Sequence, residues 1–250
     1  MKAILLCAGY ATRLKPLTDT LPKPLLPLAG RPMIDYLIDQ LKFIPDLDQI
    51  ILVSNAKFFD SFQKWKEKTH RDLPIHILND GSTDNENRLG AIRDIAFAIS
   101  EEKIVDDCLV LAGDNYFDSD LQLFAQQAIL KSPKVTIAVY DVRNRELAKR
   151  YGLVVCDQDG FVSGFQEKPQ DPKTTLASTG VYCFPKSNLK LINEYLRNHQ
   201  NPDAPGNYIQ WLVGQGQVFS FSFKGTWYDI GDFESYRKAD QEIRQKQSIS

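Results

Sequence analysis

The chain has 250 residues, 43% hydrophobic and 25% charged, close to the average soluble globular protein, which excludes wholesale disorder and leaves ample material for a buried core. A formal net charge of -2 and a pI near 6.0 provide no broad basic field, which argues against nucleic acid or an anionic membrane as partner. Recognition of phosphate must therefore be local.

The N-terminus, Met1-Lys2-Ala3-Ile4-Leu5-Leu6-Cys7, turns polar at once, far short of a signal-peptide core or a spanning helix. A cytoplasmic location is expected by default. Cys7, Cys108, Cys156 and Cys183 are scattered without a CxxC or a Cys/His ligand spacing, so they read as small buried hydrophobes in strands.

In chain order, apolar runs of strand length alternate with longer amphipathic stretches. Ala3 to Cys7 reads as a strand, Met33 to Phe43 as a helix, Gln49 to Ser54 as a strand and Phe58 to Lys68 as a helix. Ile75 to Leu78, Cys108 to Ala112 and Val135 to Tyr140 are further buried-type strands, with a helix between Arg88 and Ile99. This alternation predicts βαβ units and a parallel sheet covered on both faces. The second half changes character, because Gly152 to Cys156, Gly160 to Phe165, Ser178 to Phe184 and Val218 to Phe223 are short runs split by Asp-Gly and Pro turns. Antiparallel or mixed additions are expected there. The fold class is α/β: a mixed, mostly parallel sheet flanked by helices, with a small antiparallel lobe facing the substrate. No linker or low-complexity tract divides the chain, so 1–250 reads as one domain with a frayed polar tail at 241–250.

Directly after the first strand comes Leu6-Cys7-Ala8-Gly9-Tyr10-Ala11-Thr12-Arg13-Leu14-Lys15-Pro16-Leu17-Thr18, and then Pro22-Lys23-Pro24-Leu25-Leu26-Pro27. A small-residue turn leaving a parallel strand exposes successive backbone N–H groups that can cradle phosphate oxygens. Arg13 adds a planar cation for the outer phosphates, and Lys23, between two prolines, can place a point charge on the phosphorus under attack. A dinucleotide-binding dehydrogenase fits poorly. Its fingerprint needs three glycines and an acid at the end of the next strand, whereas only Gly9 is a glycine here and that strand ends Val53-Ser54-Asn55.

The segment Leu6 to Pro27 resembles the signature of the sugar-phosphate nucleotidyltransferases, the NDP-sugar pyrophosphorylase family, written L-A-A-G-x-G-T-R-L-x-P-L-T…P-K-P-L-L-P. Further stations follow in family order: Leu111-Ala112-Gly113-Asp114-Asn115, Phe165-Gln166-Glu167-Lys168-Pro169, Ser178-Thr179-Gly180-Val181-Tyr182 and Trp227-Tyr228-Asp229-Ile230-Gly231. The chain departs from the pattern at Cys7 and Ser178, and at Ala11, where the family has its second glycine. A Cβ at that position disfavours positive φ.

The resemblance implies a Rossmann-like, short single-domain enzyme that transfers the nucleoside monophosphate of an NTP to a sugar 1-phosphate, with Mg2+ as cofactor. It assigns a nucleotide-binding half to 1–145 and a sugar-phosphate-binding half to 146–240. The nucleotide would meet Leu6, Ala8, Gly9, Tyr10, Ala11, Thr12, Arg13, Lys23, Glu86 and Gly90; catalysis would rest on Arg13, Lys23 and Asp114. Gly152, Glu167, Lys168 and Thr179 would bind the sugar phosphate, while Asp114 and Asp229 would hold the metal. Each has a plainer reading: a turn or capping carboxylate for Asp114 and Asp229, and an exposed ion pair for Glu167 and Lys168. Tyr151 and Tyr182 read as packing neighbours.

Relatives read the nucleobase in the region corresponding to the polar stretch Leu78 to Ala91, where this chain lacks the Gln followed by Pro/Gly of dTTP and UTP users. Asn85, Glu86, Arg88 and Gly90 are its candidate contacts. His70, His76 and His199 lie outside every motif and read as bystanders. Two alternatives keep the fold: a cytidylyltransferase acting on a small alcohol phosphate such as phosphocholine, and a non-catalytic nucleotide-sensing homologue. A homo-oligomer is compatible with all of them. The chain ends soon after the last station, which suggests a minimal, single-activity version.

Overall fold

The computed structural model describes residues 1–68, 73–198 and 203–249; His70 and His199 lie outside the described residues. Strand β1 (Lys2–Leu6) leads through two short 3-10 turns to β2 (Pro27–Leu28), β3 (Arg31–Pro32) and helix α1 (Met33–Leu41). Then come β4 (Gln49–Ser54), α2 (Phe59–Glu67), β5 (Ile75–Asn79), α3 (Ala91–Glu101), β6 (Cys108–Ala112), β7 (Asn115–Phe117), α4 (Leu121–Leu130), β8 (Val135–Asp141) and the one-turn α5 (Arg145–Ala148). The remainder is β9 (Gly152–Cys156), β10 (Val162–Glu167), β11 (Leu176–Phe184), α6 (Leu189–Asn198), α7 (Pro205–Gly214), β12 (Val218–Ser222), β13 (Trp227–Asp229) and α8 (Phe233–Ile249).

The main sheet has nine strands along the path β10-β9-β11-β6-β1-β4-β5, with β8 and then β12 branching from β11. β6, β1, β4 and β5 are mutually parallel, whereas β11 runs antiparallel to β6 and β8, and β9 pairs antiparallel with β10. β12 returns parallel to β8. The second half is thus mixed, as its short runs and turns predict.

The apolar runs are continuous because both faces of the sheet are covered. Ala3 and Leu5 of β1, with Ile50 and Leu52 of β4, pack against α1 and α2. Ile4, Ile51 and Val53 point the other way, toward α3, α6 and α7. The period of two along each strand divides one hydrophobic sequence between two cores. The four cysteines are unpaired and three of them are buried. Burial, foremost, holds the Cys7 thiol well above its ordinary pKa and so keeps it neutral.

The register fixes where the site forms. Leu6 lies opposite Val53 on one side and Ala112 on the other, so β1, β4 and β6 end at the same level. The segments leaving them share one carboxyl edge, the location at which open α/β sheets bind ligands. Gly113 keeps the two inner exits close: its N–H donates to the Leu6 carbonyl at 3.0 Å.

The tail differs from its expected fraying. α8 continues to Ile249, with Ala239 and Ile243 buried beside Leu28, Met33, Tyr116 and Ile230. Polar side chains seat the rest of it: Asp240 accepts from the Ala29 amide at 2.7 Å, and Lys246 donates to Asp118 at 2.8 Å. A tail with few apolar residues looks unanchored when only hydrophobic period is counted. The helices α4, α6 and α7 likewise emerge only in the structure.

A Cβ at Gly113 would lie 2.5 Å from the Cys7 Sγ and 3.0 Å from the Leu6 carbonyl oxygen. Gly113→Ala should therefore lower stability by about 1–3 kcal/mol, as overpacking does. The urea midpoint would show it, and Cys7→Ala in the same chain should recover part of the loss by removing the nearer atom.

Candidate active site

The turn after β1 is held in shape from outside. Asn55, buried just beyond β4, donates its side-chain N–H to the Ala8 carbonyl at 2.9 Å and accepts the Phe58 amide at 3.0 Å. The residue that fails the dinucleotide fingerprint is thus a clamp on the phosphate-type loop. Ala11 adopts φ 46 and ψ 45, a left-handed conformation, at the head of the 3-10 turn Thr12–Leu14. Its carbonyl takes hydrogen bonds from the Thr18 hydroxyl at 2.9 Å and the Leu14 amide at 2.9 Å. These bonds hold a backbone shape that alanine resists by about 1–2 kcal/mol. Gly9 has ordinary φ, and a Cβ there would meet nothing within 4 Å.

Lys23 begins the second 3-10 turn, after Pro22 and before Pro24. Its Nζ donates to Asp114 Oδ2 at 2.6 Å and to the Ile230 carbonyl at 2.8 Å. Asp114 follows β6, and Asp229 ends β13, which pairs antiparallel with β7 and sets Asp229 opposite Asn115. Asn115 fastens the junction, donating to Asp114 Oδ1 at 3.1 Å and accepting the Trp227 indole N–H at 2.7 Å. Burial and then Asp114 push the Asp229 carboxyl up to about 6, against the pull of Lys23, Arg13 and Lys168. The sequence turn Trp-Tyr-Asp-Ile-Gly is therefore half strand, and that pairing brings 229 to 114.

Two clefts meet here. One, of about 400 Å³, is lined by Leu6, Cys7, the run Ala8 to Arg13, Lys23, Gly90 and Asp114. The other, of about 850 Å³, is lined by Tyr151, Lys168, Asp229, Arg150, Trp227 and others. Arg13 and Gly231 line both. Among the described residues Arg13 makes no hydrogen bond or ion pair, and its guanidinium rests against Gly231, whose Cβ position is 3.3 Å from Nη2.

The structure thus gathers Leu6, Ala8, Gly9, Tyr10, Ala11, Thr12, Arg13, Lys23, Gly90 and Asp114 around one cleft. It does not bring Glu86 there: that side chain is exposed, and its backbone caps onto Asp84 at 2.8 Å. Of the second group, Lys168 lines the larger cleft, on a backbone with φ 44 held by a bond to the Tyr151 carbonyl at 3.1 Å. Gly152, Glu167 and Thr179 line neither cleft. The Thr179 hydroxyl is spent on the Ala138 carbonyl at 3.0 Å, and Gly152 makes room for Glu167, whose Oε2 is 3.0 Å from its Cβ position. Tyr151 packs on Trp227 with ring centroids 5.0 Å apart, and burial keeps its phenol neutral, at about 12. Tyr182 is buried in the core. His76 faces Gln49 and Glu102, away from both clefts.

At the far end of the smaller cleft Arg88 spans to Asp203, Nε donating at 2.9 Å, and donates to Asn85 Oδ1 at 2.6 Å. Asp94, on the first turn of α3, also lines this end. It is buried, and its Oδ1 has no partner. Burial, then Asp80 and Asp203, push its carboxyl up to about 7. The sequence held one sign of Asp94: it shares a helix face with Ala91, Ile95 and Ala98, where a charge is out of place.

Among the described residues no group of three or more His, Cys, Asp or Glu is arranged to hold a metal. Asp114 and Asp229 offer two hard oxygen donors, a set that suits an ion taking its other ligands from phosphate and water. No helix there is long and apolar enough to cross a membrane.

A family model described as nucleotidyl transferase matches residues 2–246. The chain belongs to that family. The bifunctional protein GlmU of Methanocaldococcus jannaschii is 31% identical over 232 residues, 92% of this chain and 51% of that protein. A glucose-1-phosphate adenylyltransferase of Clostridium novyi is 30% identical over 260 residues, covering 97% of this chain and 66% of the relative. The chain spans about half to two thirds of the length of these curated relatives. Among solved structures, a protein from Bacillus anthracis assigned as a glucose-1-phosphate thymidylyltransferase superposes with a TM-score of 0.80, 21% identity, and coverage of 98% of this chain and 95% of its own. That likeness shows the nucleotidyltransferase fold.

Two outcomes follow from the local chemistry of this family member. Ala11→Gly relieves the left-handed strain and should not lower stability, whereas Ala11→Val, β-branched at positive φ, should cost more than about 1 kcal/mol in chemical denaturation. For Asp94, the unfolded carboxyl ionises near its ordinary value and the folded one near 7, so the folded state holds an extra proton between. Relative to Asp94→Asn, the wild type should lose on the order of 3 kcal/mol of stability as pH rises from 4 to 8, and no more above that. Thermal melts of both proteins across this range would show a parallel pair of curves if the carboxyl were not buried as described.

Proposed function

We propose that this chain transfers the nucleoside monophosphate of an NTP to a sugar 1-phosphate and releases pyrophosphate, working as one domain whose nucleotide half is 1–145 and whose sugar-phosphate half is 146–240. The observation that carries this reading is the junction of the two clefts at Arg13, with Lys23, Asp114 and Asp229 beside it. One cleft has the backbone loop that suits a triphosphate; the other is roomy and carries Lys168 and Arg150 for a second phosphate.

Attack by a sugar-phosphate oxygen on the NTP α-phosphorus brings two anions together, so alignment and charge neutralisation carry the rate. Lys23, oriented by Asp114 and the Ile230 carbonyl, would place its charge at the phosphorus and bear more on the transition state than on the bound NTP. Arg13, uncommitted at the junction, would take the outer phosphates. Asp114 and Asp229 would hold a magnesium ion, which when bound supplies further neutralisation of phosphate charge. The attacking phosphate is already ionised, so no catalytic base is required. The loop 79–90, through Asn85, Arg88 and Gly90, would border the nucleobase. Four unpaired cysteines suit a reducing, cytoplasmic setting.

A pyrophosphate-release matrix of four NTPs against several sugar 1-phosphates, with choline and ribitol phosphates alongside, tests the reaction. One sugar 1-phosphate should stand out, and turnover only with an alcohol phosphate would reject the sugar reading. With the best pair, Lys23→Ala should lower kcat at least 100-fold while raising the NTP KM less than tenfold. Asp114→Asn and Asp229→Asn should each remove activity by orders of magnitude, and the double variant should be scarcely worse than the poorer single one. Additive losses would separate the two carboxylates.

A further inference from the structure

The smaller cleft has a phosphate end at Arg13 and Lys23, where the second cleft opens, so a nucleotide lying in it directs its base toward Tyr10, Asn85, Arg88, Ala91, Asp94 and Pro205. The polar groups at that end are mostly committed. Arg88 is engaged by Asp203 and by Asn85, whose own Oδ1 is the acceptor at 2.6 Å. Asp80, outside the lining, takes the Ser82 amide and hydroxyl, each at 2.7 Å. Two buried groups there lack a partner among the described residues, the Tyr10 hydroxyl and Asp94. The hydroxyl can donate or accept and so does not discriminate between bases. Asp94 is more than nine-tenths buried and acceptor-only when ionised; its Oδ1 is sealed from solvent, and its Oδ2, also without a partner, is the oxygen a ligand can reach.

A buried carboxyl with no donor on either oxygen is a costly group to maintain in a folded protein, and a ligand that brings a donor to the reachable one lowers the cost. We propose that Asp94 is the base-selecting residue of this cleft, favouring a nucleobase that presents an exocyclic amino group (adenine, cytosine or guanine) over uracil and thymine. Above pH 8, where the Asp94 carboxyl is ionised, an amino N–H can donate to the carboxylate. A base carbonyl in the same place sets oxygen against oxygen, leaving Asp94 unpaired and repelled. The position is one helical turn inside α3, beyond the loop 79–90, and its face is shared with Ala91, which also lines the cleft. Side chains on a helix lean toward its N-terminus, and it is the N-terminal end of α3, at Gly90 and Ala91, that lines the cleft with Asp94.

This inference rests on the cleft being a nucleotide site, so the test separates the two. Binding of ATP, CTP, GTP, UTP and dTTP is measured by calorimetry above pH 8 without sugar phosphate, with inorganic tripolyphosphate as the base-free probe, on wild type, Asp94→Asn and Asp94→Ala. The wild type should bind one of the amino-bearing nucleotides at least tenfold tighter than UTP and dTTP. Both variants should shrink that ratio by tenfold or more, while tripolyphosphate binding stays within twofold. The alanine variant excludes an accidental contact by the asparagine amide. Wild-type preference for UTP or dTTP, or a ratio that survives both substitutions, overturns the role of Asp94 and leaves the nucleotide site standing. Failure of tripolyphosphate and every nucleotide to bind overturns both.

Discussion

Asp114, one residue before β7, and Asp229, at the end of β13, are carboxylates at one end of a small antiparallel pair, and burial and then their mutual repulsion raise the affinity of Asp229 for a proton. Holding like charges together requires structure on every side of them. Gly113 lets β6 leave its sheet in contact with the exit of β1, Asn115 bridges to the Trp227 indole, and the Ile230 amide donates to the Asp114 carbonyl at 3.1 Å. Lys23 answers the charge from a third segment. In the proposed function the same repulsion would draw a cation to the cleft, so the destabilising element and the functional one would coincide.

The two-cleft arrangement follows from the topology. Parallel strands β6, β1 and β4 end at one edge, where the run Ala8 to Arg13 after β1 and Ala112 and Asp114 from β6 line the smaller cleft. The branch through β8, β11 and the β9–β10 pair then raises a second wall, bearing Lys168 and Arg150, across from α8. Arg13 stands where the walls meet. Because α8 supplies Asp118 and the Thr226 hydroxyl with a lysine partner, the C-terminal helix braces the strand that carries Asp229.

Much of this was legible in the sequence, and what was missed has physical causes. The βαβ frame showed because doubly covered strands are continuous apolar runs, and Leu6 to Lys23 showed because a glycine turn with fixed cations has few structural uses. Asp114 and Asp229 each stand out in the sequence through the motif that carries them, but the pairing of β7 with β13 does not, since each strand is three residues long and too short for period-based reading. The clamp at Asn55 and the buried Asp94 are long-range consequences of packing, as are the room Gly206 makes for Glu167 and the burial of Thr179. Ala11 is the reverse case: its Cβ disfavours positive φ, yet the residue adopts the left-handed conformation, held there by Thr18. Glu86 was drawn in by loop position alone, and the Asx turns at Asp84 face it to solvent.

The central claim is that 114 and 229 form one cation site in the nucleotide complex. Crystals of the protein grown with its preferred NTP and manganese, measured at the manganese edge, test it directly. A single anomalous peak contacted by both carboxylates is the predicted result. A peak held by only one of them, or one remote from both, would contradict the account.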